Sequence, residues 1–211
     1  MARRVVCISR ILGAGGTEVG LLVADALGFR HVDEEIVQQA AAAEGLSTEA
    51  LDEVERRKTF IDKVLQNLAL AGGVEGYMVG VSGLTPPGPS SDPTLLRALI
   101  RKSIEETADR GDVVIVSHAA SYALTNRIDV LRVLVTASPT TRAARVAIDG
   151  SHDEKRAAKI IAEDDAGRAA YLKKFYGVER ESPTHYDLAL NSDSMPTEVI
   201  ADLVVRAALA D

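Results

Sequence analysis

"SRILGAGGTE", residues 9–18, lies between two stretches of different period. Upstream, "VVCIS" at 5–9 is a short apolar run rich in β-branched residues. Downstream, "TEVGLLVADALGF" at 17–29 sets Val19, Leu22, Val23, Ala26 and Leu27 at helical spacing, with Gly28 as the stop. The order is strand, glycine loop, helix, the setting in which a phosphate-binding loop of pattern G-x-x-x-x-G-K-[ST] occurs. With Gly15 as the second glycine of that pattern, Thr17 takes the hydroxyl position that faces magnesium, Gly16 takes the lysine position and Arg10 the first glycine. The lysine is missing. The backbone N–H groups of Gly13, Ala14, Gly15, Gly16 and Thr17, with the start of the helix, still form a candidate anion site, because unpaired donors and the helix dipole do not depend on side chains. Phosphoryl transfer also needs fixed cations. Arg10 is one candidate, able to fork two donors onto phosphate oxygens; alternatively it pairs with a nearby carboxylate and shapes the loop.

The chain has 211 residues, 46% of them hydrophobic, which suits one domain carrying an inserted lobe. A net charge of −7 argues against a protein that coats nucleic acid or an anionic membrane. No apolar stretch reaches 18 residues, so a cytoplasmic protein is expected. Cys7 is the only cysteine, excluding an internal disulfide, and reads as a small buried hydrophobe. His31, His152 and His185 are too scattered for metal ligation, and neither a G-x-S-x-G elbow nor an H-E-x-x-H pair occurs, so hydrolase and zinc chemistry are set aside.

Further valine-rich runs, "VVIVS" (113–117) and "VLRVLVTAS" (130–138), and a weaker "YDLALN" (186–191), alternate with helical patterns. They predict a doubly wound α/β fold with a parallel sheet. From 33 to 93 the pattern changes to two helical segments and then a loop holding six glycines and four prolines between Gly72 and Pro93.

"ISRILGAGGTEVGLLVADALGFRHVDEEIVQQAA", "VVIVSHAASYAL" and "AEDDAGRAAYLKKFYGVERESPTHYDLALN" together resemble the cytidylate kinase-like family, a branch of the P-loop nucleoside monophosphate kinases whose glycine loop reads S-R-x-x-G-x-G-G. The resemblance implies a sheet core over 1–32, 94–149 and 186–211, an acceptor-binding insertion over 33–93 and a helical lid over 150–185. It implies ATP as donor and Mg2+ as its metal, a nucleotide or other small acceptor, no nucleic acid or membrane partner, and it is compatible with a homodimer. Arg142 and Arg145, in "SPTTRAARV", would then face the nucleotide. Asp165 and Arg168 match the D-x-x-R of the lid, whose arginine reaches the transferring phosphate. On the acceptor side Asp33 matches the family's Asp, followed by Glu34 and Glu35 where Thr and Gly are usual. His118 stands where an arginine would hold the acceptor phosphate, and Arg97 is placed beside them. The expected activity is ATP-dependent phosphorylation of CMP or a related nucleotide; a nucleotide-sensing module and a kinase for a non-nucleotide metabolite are the alternatives.

Overall fold

The computed structural model describes residues 3–33, 93–117, 119–150 and 153–210. Five strands, β1 (Val5–Ser9), β2 (Arg30–Val32), β3 (Val113–Ser117), β4 (Val130–Thr136) and β5 (Leu188–Asn191), form one parallel sheet in the order β2-β3-β1-β4-β5. Register is set by valine against valine and isoleucine: Val5 lies beside both Val113 and Val130, and Cys7 beside Ile115.

β1 is buried along its whole length because both faces of the sheet are covered. Alternate residues point to opposite faces. Val5, Cys7, Val113 and Ile115 pack against α2 (Pro93–Asp109), the short α3 (Ala120–Ala123) and the second half of a long helix, α5 (Glu154–Tyr176), through Ile104, Leu124, Tyr171, Leu172 and Phe175. Val6, Ile8, Val114, Val116 and Val133 pack on the other face against α1 (Gly16–Leu27) and α6 (Thr197–Leu209) through Val19, Val23, Ile200 and Val204. Each such fully buried Val or Leu stabilises the fold by about 1.5–3 kcal/mol.

The central strands and the helix stop at Gly28, φ 66°, lie where the pattern puts them. β4 ends at Thr136 and β5 starts at Leu188, each shorter than its apolar run. β2 is three residues long, pairs with Val113–Ile115 of β3 and carries no run of its own in the sequence. α4 (Pro139–Gly150) and α5 form a helical hairpin joined by Ala143, Ala157 and Ile161, into which Leu12 of the glycine loop packs. α5 falls in the stretch expected to be lid, yet its second half belongs to the core. The insertion expected from 33 to 93 lies, from 34 to 92, outside the described residues.

Candidate active site

The glycine loop leaves the C-terminal end of β1 at the middle of the sheet, the edge on which α/β proteins build their sites. The Ala14 N–H donates to the Ile11 carbonyl at 3.0 Å, closing a turn. Gly13 and Gly15 have φ of 76° and 83°, a region that favours glycine. A Cβ on Gly13 would stand 2.8 Å from the Arg142 carbonyl oxygen, so the loop is packed directly onto the backbone of α4. α1 starts at Gly16 with Gly15 as its N-cap and no capping side chain. The first bond back to the cap is Val19 N–H to the Gly15 carbonyl at 3.0 Å. The N–H groups of Gly16, Thr17 and Glu18 precede it and point out of the helix end, where partial positive charge accumulates.

Four arginines anticipated from the sequence surround this loop, each in a different engagement. Arg10 Nη1 is 3.9 Å from Asp33 Oδ2, so the candidate loop cation and the candidate acceptor carboxylate are brought together. Arg142, 3% exposed, is forked onto Asp165 at 2.9 and 2.7 Å. Arg145, one helical turn on, does not share that partner. Its Nη1 donates to the Gly13 carbonyl at 3.3 Å and to Ser192 Oγ at 2.9 Å, and its Nη2 donates to the Ser192 carbonyl at 2.7 Å.

Arg168, 7% exposed, is the most heavily engaged. Nε and Nη2 donate to the two carboxylate oxygens of Glu181 at 2.9 and 2.5 Å, Nη2 also to Ser9 Oγ at 2.7 Å, and Nη1 to the Arg10 carbonyl at 3.2 Å. Tyr186 completes the cluster, its hydroxyl donating to Glu181 and, at 3.2 Å, meeting Ser9 Oγ. Burial works against the Glu181 charge, but the Arg168 guanidinium and the Tyr186 hydroxyl outweigh it and hold the carboxyl below its ordinary value. Burial also pushes the Tyr186 phenol far up, so it remains a neutral donor. The cluster fixes a guanidinium–carboxylate pair against the start of the loop, bonded to Ser9 and to the Arg10 carbonyl.

Beside these pairs is a cavity of about 400 Å3, bounded by Ile11, Arg142, Asp165, Arg168 and Glu181. On the far side of the loop, Ser117 Oγ accepts the N–H groups of Ala119 and Ala120 at 3.2 and 3.0 Å, which turns the chain sharply after β3. His118 lies outside the described residues. Arg97 sits on α2. Among the described residues no three of His, Cys, Asp and Glu gather into a metal-binding group.

Glu181, Tyr186 and Ser192 were not singled out in the sequence. A signal existed for the first: a lid arginine next to a core needs a carboxylate, and "VERE" supplies two. Ser192 directly follows a parallel strand, at the edge where ligands collect.

The profile of the cytidylate kinase-like family matches residues 5–194. The cytidylate kinase of Archaeoglobus fulgidus is 23% identical over 207 residues, 96% of this chain and 93% of that protein. An uncharacterized protein from Eubacterium ventriosum superposes with a TM-score of 0.66 at 14% identity, covering 98% of this chain and 99% of that one. Shikimate kinase from Bacteroides thetaiotaomicron superposes at 0.51 and 15% identity, covering 96% and 94%. At those identities the two structures speak for the fold alone, a parallel sheet of P-loop kinase type. No helix among the described residues is long and apolar enough to cross a membrane.

Proposed function

The chain belongs to the cytidylate kinase-like family, phosphotransferases of nucleotide-kinase type, and from that premise we propose that it transfers a phosphoryl group from ATP to CMP or a closely related nucleoside monophosphate. The observation that carries the donor side is the uncapped start of α1 at Gly15, with guanidinium groups bonded to both ends of the same loop. The residues fit a polyphosphate: the helix-end donors are unpaired within the helix, and the loop's glycines are free of side chains that would fill the approach. Bound there, ATP supplies the phosphoryl group, and Thr17 is the proposed hydroxyl toward Mg2+, an ion that dehydrates reluctantly and takes most of its ligands from phosphates and water.

The chain's own part is positioning and charge, since an acceptor phosphate is already a nucleophile. Gly13 to Thr17 hold the donor. Arg10, Arg142, Arg145 and Arg168 supply permanent charge, and three of them face a carboxylate (Asp33, Asp165, Glu181) that keeps each guanidinium oriented before a phosphate arrives. Asp33, Arg97 and His118 are proposed for the acceptor, with Asp165 beside Arg142.

Coupled ADP release, measured with each nucleoside monophosphate in the presence of Mg2+, tests the reading. Turnover that depends on a pyrimidine monophosphate is expected. ATP binding without any acceptor-dependent ADP identifies a nucleotide-sensing module instead, and turnover only with a non-nucleotide hydroxyl compound identifies a metabolite kinase.

A further inference from the structure

Ser192 is 2% exposed, and its polar atoms are spoken for in one direction. Its N–H donates to the Thr136 carbonyl at 2.8 Å, which ties it to the end of β4. Its hydroxyl donates to the Ala14 carbonyl at 2.8 Å and accepts from Arg145 Nη1 at 2.9 Å. A serine hydroxyl has a single proton to give, so the Ala14 carbonyl is its one donor commitment. The same Arg145 nitrogen reaches the Gly13 carbonyl at 3.3 Å. Two consecutive loop carbonyls are therefore drawn to one side by one charged unit.

Every peptide in the loop is trans. In a planar trans peptide the N–H opposes the carbonyl, so drawing the Ala14 oxygen toward Ser192 turns the Gly15 N–H away from it. We propose that Ser192 is a positioning residue for the donor phosphates: its hydroxyl carries the hydrogen bond of Arg145 into the Ala14 carbonyl and so holds the Gly15 N–H toward the bound anion. The inference rests on the donor reading given above. It assigns a function to a side chain that touches no phosphate. It also explains how the loop keeps a set conformation without a lysine to gather it around the ligand, because the gathering is done from behind.

Ser192→Ala removes the relay and leaves the sheet and the loop's glycines in place. Calorimetric titration with MgATP, parallel thermal melts and initial rates against both substrates read the result. The expected outcome is MgATP binding weakened about tenfold, the order of one charge-assisted hydrogen bond, with donor KM raised in step, acceptor KM unchanged and most of the thermal stability kept. Ser192→Cys fills a similar volume with a weak donor and serves if the alanine variant does not fold; its effect runs in the same direction and is smaller. Wild-type protein that binds MgATP as tightly as either folded variant overturns the inference and leaves the kinase reading standing. A fall in melting temperature with donor KM unchanged also overturns it, since that is the mark of a purely structural serine. Wild-type protein that binds no MgATP overturns the donor reading, and this inference with it.

Discussion

The two ends of the glycine loop are held by arginines in opposite electrostatic situations. At the start, Arg168 grips the Ser9 hydroxyl and the Arg10 carbonyl while forked onto Glu181, so its charge is balanced on the spot. At the turn, Arg145 grips the Gly13 carbonyl and Ser192, and among the described residues it meets no carboxylate. The first arrangement is costly to dismantle, because removing either member leaves a buried charge uncompensated. The second leaves positive charge projected into the loop, the quantity that the absent lysine would have provided. Stability and field are thus assigned to different arginines.

The cradle that both arginines serve is the point of greatest sensitivity. Gly15→Val should abolish ATP binding in calorimetric titration: φ is 83°, which a β-branched residue adopts at a cost of about 1–2 kcal/mol, and the new Cβ would stand 3.2 Å from Thr197 Cγ2. Gly16→Lys should fold and bind at least as well, since a Cβ there meets nothing closer than 3.6 Å. Undiminished ATP affinity in the valine variant would remove the loop from the site altogether.

Arg168→Ala should come next. The loss of stability is expected at about 3–5 kcal/mol, from the stranded Glu181, together with a fall in turnover of about 100-fold or more, the scale of a lost transition-state donor. Urea unfolding and ADP release check the two parts. Stability within about 1 kcal/mol of wild type, the scale of a surface ion pair, would erase the difference drawn between the two arginines.

Arg145→Gln isolates charge from hydrogen bonding. ATP affinity should drop by about tenfold at low salt and by less as ionic strength rises and screens the field, with little change in unfolding free energy. A salt-independent loss would assign Arg145 the same structural part as Arg168.

The smallest effect concerns acid. Glu181 is held below its reference value of 4.5, so the unfolded chain binds the proton more readily. The stability it contributes is complete above that value and is lost as pH falls through the lowered one. Melting temperatures taken from about pH 6 to pH 3 should fall less steeply for Glu181→Gln than for wild type. Parallel curves would mean that the pair does not carry the acid sensitivity.

What the sequence disclosed follows from the range of the forces involved. Burial on both faces writes itself into "VVCIS" and "VVIVS" as unbroken apolar runs, so the central strands are legible residue by residue. β2 is not, because "RHV" is short and held by pairing to β3 rather than by any pattern of its own. The glycines at 13 and 15 are legible because the backbone conformation demands them. The resemblance sets Arg142 and Arg145 toward one nucleotide, and in the structure they take different partners: Asp165 is offered by α5, Ser192 by the end of β5. Partners that are 23 and 47 residues away leave no local trace. The links from Ser9 and Arg10 to Arg168 span 159 and 158 residues and are invisible for the same reason.

Packing of Gly13 against α4 bears on how this loop can change over generations. A side chain at 13 is barred by the Arg142 backbone at 2.8 Å, whether or not a nucleotide ever binds, while a Cβ at 16 meets only ordinary contacts of 3.6–3.9 Å. A descendant released from phosphate chemistry would keep glycine at 13 to preserve its helix hairpin and would first drift at 16. Across a lineage, the residue at 13 reports on architecture, and the residue at 16 is where the record of lost or altered catalysis would be written.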